Sequence, residues 1–309
     1  MDDKILVSFV VLTYNSEKYL QRCLDSILMQ DYKNYEIIII DGGSKDRTMD
    51  ICRQYSTNYD NVRLFEYPGL SIGMARQKGV EHSKGDFCAF IDSDCVLPSE
   101  TWLKNMLDGF NKPEIVGTWV LGAFSKSDPS LMRYSILSNP HRETVPELVG
   151  YENYIPIGTG HTIIRKDKIF EVGGFKDIPG GEDVDLTYEL VKRGYKFRYI
   201  YGNEVYHYHV TSLKQKIRKM WRNVIGGLNS EAWMREYVNA KKMDAILGLT
   251  IIYPLFYGIF KAIRSGDSAW LWHPVISFLK VIVGVAGVLY VKVIKLFNYR
   301  RVNDEKGTK

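Results

Sequence analysis

The stretch Phe87-Cys88-Ala89-Phe90-Ile91-Asp92-Ser93-Asp94 joins an apolar run directly to two carboxylates. Such a run is typical of a strand that is buried on both faces of a parallel sheet. Carboxylates at positions i and i+2, just beyond the carboxyl end of a strand, offer the hard oxygen ligands that Mg²⁺ and Mn²⁺ prefer. Because ligands of open α/β sheets bind at this edge, we expect Asp92 and Asp94 to hold a metal-bound phosphate or diphosphate. The other interpretation is an ordinary acidic turn.

Outward from this strand, apolar strands alternate with amphipathic helices. The predicted strands are residues 5–12, 36–41, 62–67, 86–91, 162–165 and 197–201. Strands separated by helices form right-handed βαβ units and hence a parallel sheet. Residues 116–160 contain recurrent Pro, Gly, Asn and Ser, and we expect long active-site loops there. The pattern predicts an α/β fold.

The composition allows one large domain with an appendage, since 45% of the 309 residues are hydrophobic. The formal net charge of +5 is modest and no block of like charge resembles a nucleic-acid-binding arm, so we expect no nucleic-acid partner. The four cysteines lack a C-x-x-C spacing, and we interpret them as reduced and mostly structural in a cytosolic protein.

The C-terminal part of the chain changes character. Residues 245–263 and 274–291 are apolar apart from Lys261 and Lys280, and each approaches the roughly 20 residues needed to cross a bilayer. Basic residues flank the outer ends, so the positive-inside rule places both ends and the catalytic domain at the cytoplasmic face of the cell membrane. We expect a C-terminal apolar helical hairpin. Helices that lie in the interface, or that pack on the domain, are the alternative.

These features predict two domains. Residues 1–240 are expected to form the larger domain, in two halves of about 1–115 and 116–240. Residues 241–309 are expected to form a membrane-associated helical segment with a basic tail.

Polar residues close the first two strands at the same edge as Asp92. Thr13 and Asn15 follow the first strand, where short polar side chains can hold a nucleobase, although an ordinary polar turn has the same composition. Asp41 ends the second strand, where its carboxylate can accept a hydrogen bond from a base N–H or a ribose hydroxyl. Capping of the following helix is a compatible second role for Asp41.

The segment Gly180-Gly181-Glu182-Asp183 is a second candidate site. Its glycines allow backbone or ligand to approach closely, and its acids, together with Asp185, open a predicted helix. The helix dipole favours negative charge there, but that effect explains one acid more readily than three in four positions. We therefore expect one of these carboxylates to be a general base.

Residues further along the chain offer another ligand and several cations. His207 and His209 share one face of a strand because side chains alternate along it, and an imidazole can complete a Mn²⁺ site. Packed or surface histidines are the alternative. Arg218 and Arg222 can neutralise a diphosphate leaving group, or can form a solvated or membrane-facing surface.

Taken together, these motifs resemble those of family 2 glycosyltransferases, which have the GT-A fold. The resemblance covers roughly residues 5–230. Its motifs are residues 10–15 (VVLTYN), 39–48 (IIDGGSKDRT), 73–76 (GMAR), 84–87 (KGDF), 92–94 (DSD), 172–175 (VGGF) and 181–186 (GEDVDL). The resemblance implies a mixed, mainly parallel sheet flanked by helices, and an inverting, nucleotide-sugar-dependent enzyme. It also implies that residues 1–240 are the catalytic domain, with a nucleotide-binding half over about 1–115 and an acceptor half over 116–240.

The resemblance also implies roles for individual residues. Asp183 would be the catalytic base, with Glu182 orienting the acceptor or assisting. The ligands of Mg²⁺ or Mn²⁺ would be Asp92, Asp94 and His207, with His209 in place of His207 as the alternative. A nucleoside-diphosphate sugar, with UDP favoured over GDP, would contact Thr13, Asn15, Asp41, Arg76, Asp92 and Ser93.

The implied reaction transfers a sugar to a hydroxyl of a lipid-linked or cell-surface glycan acceptor, and transfer directly to a polyprenyl phosphate is the alternative. The sequence departs from the family pattern at two positions. Lys219 stands where the processive-synthase signature Q-x-x-R-W has Trp, which disfavours a processive polysaccharide synthase, and Gln77 stands where family members often have Asn. Two remote alternatives are a haloacid-dehalogenase-like phosphatase, whose apolar-D-x-D pattern residues 90–96 also fit, and an inactive membrane-anchored binding protein.

Overall fold

The structure is a computed structural model that describes residues 5–139, 142–178, 180–208, 212–229 and 252–306. Its strands are β1 (Val7–Thr13), β2 (Tyr35–Asp41), β3 (Val62–Glu66), β4 (Phe87–Asp92), β5 (Cys95–Val96), β6 (Ile115–Trp119), β7 (Gly122–Ala123), β8 (Leu148–Val149), β9 (His161–Arg165), β10 (Lys196–Tyr199) and β11 (Val205–His207). Its α-helices are α1 (Leu20–Leu28), α2 (Thr48–Asn58), α3 (Ile72–His82), α4 (Trp102–Asp108), α5 (Ser130–Leu137), α6 (Lys166–Glu171), α7 (Glu182–Lys192), α8 (Leu213–Asn229), α9 (Ile252–Ser265) and α10 (His273–Lys306). A 3₁₀-helix, Ser268–Trp272, directly precedes α10.

The main sheet has the strand order β3-β2-β1-β4-β9-β6-β10-β8. Its first four strands in this order are mutually parallel, because a helix returns the chain between successive strands. Strand β2 is buried at every position, as expected for a strand that is covered on both faces. The register aligns Thr13 with Asp41 and Leu12 with Asp92, so the polar ends of three strands meet at one edge.

The hydrophobic core lies on both faces of this sheet. Phe9 and Val11 belong to one buried cluster and Val10 to the other, as the alternation of side chains along a strand requires. Trp102 of α4 is fully buried, and its ring lies 6.5 Å from the ring of Phe9.

Strand β9 makes the sheet mixed, since it runs antiparallel to both β4 and β6. This confirms the expected mixed, mainly parallel sheet. Residues 116–160, which we expected to be long loops, instead contain most of β6 together with β7, α5 and β8. Gly117, one of the glycines of this region, lies in β6 and leaves room for the ring of Phe197, because a Cβ there would lie 2.3 Å from Phe197 Cε1.

A second, three-stranded sheet has the order β5-β11-β7. Its strands are only two or three residues long, which is too short for a sequence periodicity. Strand β11 runs antiparallel to β5 and places His207 opposite Cys95, the residue that follows Asp94. This sheet therefore brings a histidine from far along the chain to the carboxylates at the end of β4.

The contacts divide the chain into two units, Met1–Ile178 with Glu182–His209, and Pro179–Gly181 with Val210–Lys309. The predicted division into residues 1–240 and 241–309 stays a prediction. Within the second unit, α8 packs along α10, with the rings of Trp221 and Tyr290 5.5 Å apart. Residues 230–251, which include the start of the first predicted apolar segment, lie outside the described residues.

One stretch among the described helices, Ser268–Val291, is long and apolar enough to cross a membrane, and its most apolar 18-residue window has a mean hydropathy of 2.1. Helix α9 precedes it, and Gly266 lies in the turn between them with a φ of +66°. Large apolar side chains of both helices are exposed, among them Phe256, Phe260, Ile263, Phe278, Ile282, Val285 and Leu289.

Candidate active site

Asp41 is buried at the end of β2, and its carboxylate organises the turn that follows. Its Oδ1 accepts hydrogen bonds from the backbone N–H groups of Gly43 and Ser44, both at 2.8 Å. Its Oδ2 accepts hydrogen bonds from the hydroxyls of Thr13 at 2.8 Å and Ser44 at 2.6 Å. The carboxylate therefore fixes the ends of β1 and β2 relative to each other.

Asn15 ties the loop after β1 to the loop after β2. Its φ of 51° lies in the left-handed region, which Asn tolerates better than most residues. Its Oδ1 accepts a hydrogen bond from the Lys45 N–H at 2.8 Å, and its own N–H donates to Ser44 Oγ at 2.9 Å. Thr13, Asn15 and Asp41, which we predicted to bind the donor, thus belong to one network at the predicted edge.

The segment Asp92-Ser93-Asp94 is held from two sides. Ser93 Oγ lies 2.8 Å from Ser16 Oγ, and the Asp92 N–H donates a hydrogen bond to the Gly160 carbonyl oxygen at 3.0 Å. Gly160 also lies directly against the Asp92 carboxylate, because a Cβ at this glycine would be 2.4 Å from Oδ2. Any larger residue at position 160 would displace that carboxylate.

Asp94 and His207 form the candidate metal site. Asp94 Oδ1 is 3.2 Å from His207 Nε2, and Asp92 Oδ2 is 3.8 Å from the same nitrogen. Cys95 also presents its sulfur within 4.8 Å of the Asp94 and His207 ligand atoms. Burial, followed by the nearby carboxylates, raises the pKa of the Cys95 thiol well above its usual range, and the thiol points to the Gly160 carbonyl oxygen. The carboxylate and imidazole groups fit Mg²⁺ or Mn²⁺ without the thiol.

His207 has aromatic neighbours that the sequence analysis did not single out. The ring of His161 meets the ring of His207 edge to face, with centroids 5.6 Å apart. The Tyr208 N–H donates to the Asp94 carbonyl oxygen at 2.9 Å, and the Tyr208 ring stacks on Tyr19 at 5.1 Å. These contacts anchor β11 on both sides of His207, so the imidazole is held toward the carboxylates.

Arg76 joins two parts of the site. Its guanidinium pairs with the Glu182 carboxylate through one nitrogen, and its other terminal nitrogen lies 3.5 Å from Asp92 Oδ1. Both Arg76 and Glu182 are buried. Burial alone would lower the pKa of Arg76, but the neighbouring carboxylates, Glu182 foremost, outweigh burial and raise that pKa. Arg76, predicted as a donor-binding residue, is therefore a buried ionic link between the end of β4 and the start of α7.

The three acids that open α7 have different partners. Glu182 is paired with Arg76, and Asp185 is buried with its carboxylate 2.7 Å from Lys176 Nζ. Asp183 is half-buried and turns toward the loop before β9 instead. The helix dipole at the start of α7 favours all three charges, but the partners separate their roles.

Residues 158–160 form a loop with two glycines, which contacts Asp183 at one end and Asp92 at the other. The Thr159 N–H donates to Asp183 Oδ2 at 3.4 Å. A Cβ at Gly158 would lie 3.5 Å from the same oxygen, so the glycine borders the Asp183 carboxylate without crowding it. Since Gly160 contacts Asp92, one short loop places the predicted base beside the predicted metal-binding pair.

Helix α3 supports the segment that leads into α7. Gln77 Oε1 accepts a hydrogen bond from the Phe175 N–H at 3.0 Å, and a Cβ at Gly174 would lie 2.2 Å from that oxygen. One turn earlier on α3, a Cβ at Gly73 would lie 2.3 Å from the Lys176 carbonyl oxygen. Gln77, noted from the sequence only as a departure from the family pattern, thus positions the chain before Glu182.

The remaining predicted residues belong to other parts of the chain. His209, the alternative metal ligand, lies outside the described residues. Arg218 and Arg222 lie on α8 in the second unit, where a Cβ at Gly180 would be 3.3 Å from Arg222 Cγ. Neutralisation of a diphosphate by these arginines stays a prediction.

Comparison with known proteins identifies the family. The profile of glycosyl transferase family 2 matches residues 8–173, more than half of the chain. The chain belongs to glycosyl transferase family 2. It is therefore a glycosyltransferase, as the motifs implied, and the interpretations as a phosphatase and as an inactive binding protein are set aside.

Similar proteins are known from several archaea. Glycosyltransferase AglE of Haloferax volcanii is 28% identical over 247 residues, which cover 78% of each chain. The dolichyl N-acetyl-alpha-D-glucosaminyl phosphate 3-beta-D-2,3-diacetamido-2,3-dideoxy-beta-D-glucuronosyltransferase of Methanococcus voltae is 26% identical over 227 residues, 69% of this chain and 70% of that protein. The mannosyltransferase PcManGT of Pyrobaculum calidifontis, solved with GDP-Man and Mn²⁺, matches with a TM-score of 0.65 at 16% identity, over 90% of this chain and 86% of that chain. This likeness confirms the α/β fold of GT-A type.

Proposed function

We propose that this family 2 member is a metal-dependent, inverting glycosyltransferase that moves a sugar from a nucleoside-diphosphate sugar to an acceptor hydroxyl. The observation that carries the proposal is the buried link from Asp92 through Arg76 to Glu182, because it fixes the metal-binding segment beside the start of α7. A donor bound at Asp92 and an acceptor bound at Asp183 would then meet at one edge of the sheet. Such positioning is what a single displacement requires.

The nucleoside of the donor is proposed to bind at the loops after β1 and β2. Thr13, Asn15 and Asp41 hold these two loops together, so a base or ribose there would meet a fixed surface. Asp41 is compatible with a uracil base, and UDP sugars are the first donor class to be tested. The Pyrobaculum calidifontis enzyme was solved with GDP-Man, so GDP sugars are the second donor class to be tested.

The metal is proposed to be Mg²⁺ or Mn²⁺, held by Asp94 and His207 with Asp92. The two oxygens of Asp92 have different neighbours, since Oδ1 faces Arg76 and Oδ2 faces His207 Nε2. Arg76 therefore fixes the orientation of Asp92 and leaves Oδ2 on the metal side. When bound, such an ion supplies positive charge to a departing diphosphate.

Asp183 is the proposed general base, which accepts the proton of the attacking hydroxyl. Its carboxylate lies beside Gly158, whose missing side chain keeps space next to the oxygen. Glu182 is less suited to proton transfer, because its buried pairing with Arg76 stabilises the ionised form. We propose that Glu182 positions the start of α7, and that Asp183 contributes the roughly 10²–10⁴-fold typical of a positioned base.

The acceptor is proposed to be a lipid-linked or cell-surface glycan at the cytoplasmic face of the membrane. Only 22% of the most apolar window of Ser268–Val291 is buried, which leaves apolar side chains available to lipid. A helix of this kind would keep the enzyme near the headgroups. The name of the Methanococcus voltae relative describes a dolichyl-linked substrate, which supports the same acceptor class.

The donor and the metal can be tested by thermal unfolding of the full-length protein with UDP or GDP, each with and without Mn²⁺. A ligand at 100 times its Kd stabilises the folded state by about 2.7 kcal/mol. We expect stabilisation by the nucleotide with the metal present, and its loss in Asp94→Asn. Equal stabilisation with and without metal, in both proteins, would contradict a metal-dependent donor site.

The acceptor can be tested by product analysis with nucleotide sugars and three acceptors: lipid-linked saccharides, matched water-soluble glycosides and polyprenyl phosphate. We expect turnover on the lipid-linked saccharide and an anomeric configuration opposite to that of the donor. Equal turnover on the water-soluble glycosides would exclude a requirement for lipid. Transfer to polyprenyl phosphate alone would favour the alternative reaction.

A further inference from the structure

Two neighbouring residues of the loop after β1 bond to different parts of the candidate site. Asn15 bonds to the loop after β2, where the nucleoside of the donor is proposed to bind. Ser16 bonds instead to the segment after β4, because its Oγ lies 2.8 Å from Ser93 Oγ. One short loop therefore contacts both the proposed nucleoside site and the proposed metal site.

Further hydrogen bonds fix the position of Ser16. Its N–H donates to Thr48 Oγ1 at 2.7 Å, and the Thr48 hydroxyl in turn donates to Asp46 Oδ1. Thr48 is fully buried at the start of α2. The Ser16 hydroxyl oxygen also accepts a hydrogen bond from the Tyr14 N–H at 3.3 Å. Ser16 is thus a defined connection between the loop after β1 and the segment after β4.

Ser93 stands between Asp92 and Asp94, the two carboxylates that are proposed to hold the metal. The segment is held from the side of β9, where the Asp92 N–H donates to the Gly160 carbonyl oxygen at 3.0 Å. Ser16 holds the middle residue of the same segment from the side of β1. The orientation of both carboxylates therefore depends in part on the loop that carries Ser16.

We propose that Ser16 is a positioning residue that couples nucleoside binding to metal binding, an inference that rests on the proposed function. A nucleoside at the loops after β1 and β2 would order the loop that carries Ser16. The bond to Ser93 would then hold Asp92 and Asp94 closer to the arrangement that binds the ion, and a site that is organised in advance binds its ligand more tightly. By linkage, the metal must strengthen nucleoside binding by the same factor.

The test uses nucleosides, because the diphosphate of UDP would contact the metal directly and would couple the two ligands without help from the protein. Calorimetry measures the Mn²⁺ affinity of the full-length protein alone and with uridine or guanosine in excess. We expect one of the two nucleosides to tighten Mn²⁺ binding about 2–10-fold, the range that one hydrogen bond can transmit. Mn²⁺ should tighten the binding of that nucleoside by the same factor.

Ser16→Ala removes the hydroxyl but keeps the backbone bond to Thr48, and it should abolish this coupling. Ser93→Ala should also abolish it, and the double variant should show no further loss. Ser99→Ala is the matched control, because Ser99 Oγ lies 3.1 Å from Thr101 Oγ1 in another pair of hydroxyls. This exposed pair lies near the end of α1, whereas Ser16 precedes the start of that helix, so the control should leave the coupling unchanged.

Coupling that survives Ser16→Ala overturns the inference. So does a Mn²⁺ affinity of the wild-type protein that neither nucleoside changes. Binding of UDP in the presence of Mn²⁺, measured on the same samples, separates these outcomes from failure of the proposed function, in which UDP with Mn²⁺ would not bind at all.

Discussion

Acidic residues lie at both edges of the main sheet, and their surroundings differ. Glu36, near the start of β2, is 7% exposed and accepts hydrogen bonds from the Ser8 hydroxyl at 2.7 Å and the Arg63 guanidinium at 2.9 Å. A backbone N–H, that of Lys84, donates to the same carboxylate. These neutral and positive donors surround one negative charge, so the protein itself satisfies Glu36.

At the opposite edge the carboxylates are gathered rather than separated. The side chains of Asp92 and Asp94 are 37% and 30% exposed and share one imidazole neighbour, His207. Arg76 lies among Asp92, Glu182 and Asp183. Like charges brought together at a partly open position would be stabilised by the proposed metal ion, whereas the protein's own donors satisfy Glu36.

The largest effect is expected from Asp183→Asn, which removes the proposed base but keeps its size. We expect turnover to fall by about 10²-fold or more while the affinity for the nucleotide is kept. Initial-rate kinetics with a nucleotide titration measure both quantities. Glu189→Gln on the same helix, where Glu189 pairs with Lys192 at the surface, is the control and should retain activity. Near-normal turnover of Asp183→Asn would exclude Asp183 as the base.

The next largest effect is expected from Arg76→Met, which leaves the buried Glu182 carboxylate without its partner. Loss of one member of a buried ion pair typically destabilises a protein by about 3–5 kcal/mol. The double variant Arg76→Met/Glu182→Gln should recover most of this loss of stability without recovering turnover. Denaturant unfolding measures the stability of each variant.

Arg53→Met is the matched control for Arg76, because Arg53 pairs with Glu66 where both side chains are exposed. Such pairs contribute about 0–1 kcal/mol. An Arg76→Met protein as stable as the wild type would show that the buried link does not hold the two parts of the site.

A smaller effect is expected from His207→Ala, which removes the imidazole that faces Asp94. Loss even of an outer partner typically weakens a metal site by about 10–100-fold, so loss of the ligand should cost at least as much. Mn²⁺ titration by calorimetry, with UDP present, measures this affinity. His82→Ala is a control, since His82 stacks on Phe65 of β3 away from Asp94. Unchanged Mn²⁺ affinity in His207→Ala would leave His209 as the ligand to test.

The residues at the ends of the predicted strands indicated much of this candidate site from the sequence. Apolar runs that end in Thr13, Asp41 and Asp92 indicated parallel strands, and parallel strands place their carboxyl ends together. The roles of individual residues at these strand ends were predicted less completely. Asp41 closes the turn after β2, whereas α2 is preceded by Asp46, which accepts the hydrogen bond of the Thr48 N–H.

Other residues could not be predicted because their partners are distant in the sequence. Gly160 contacts Asp92, and His161 pairs with Ile91, only through the antiparallel pairing of β9 with β4, and no local sequence pattern predicts that register. Gln77 contacts Phe175 across nearly a hundred positions. Glycine is common in loops, but Gly117 lies in β6, where its missing side chain leaves space for the ring of Phe197 on β10. Side-chain packing of this kind is fixed only when the elements have assembled.

The smallest effect is expected from Glu36→Gln, at the edge of the sheet where β2 begins. Burial alone would raise the pKa of Glu36, but the hydrogen bonds from Lys84, Ser8 and Arg63 outweigh burial and hold that pKa below its usual value. A carboxylate with a lowered folded-state pKa stabilises the protein above its unfolded-state pKa, and this stabilisation is lost as pH falls through the folded-state pKa. Glu36→Gln should therefore lower stability by about 1.5 kcal/mol at pH 7, and the difference from the wild type should shrink below about pH 4. Turnover at pH 7 should stay near that of the wild type, because Glu36 lies at the edge away from Asp92. A variant with normal stability but impaired turnover would mean that the two edges are not functionally separate.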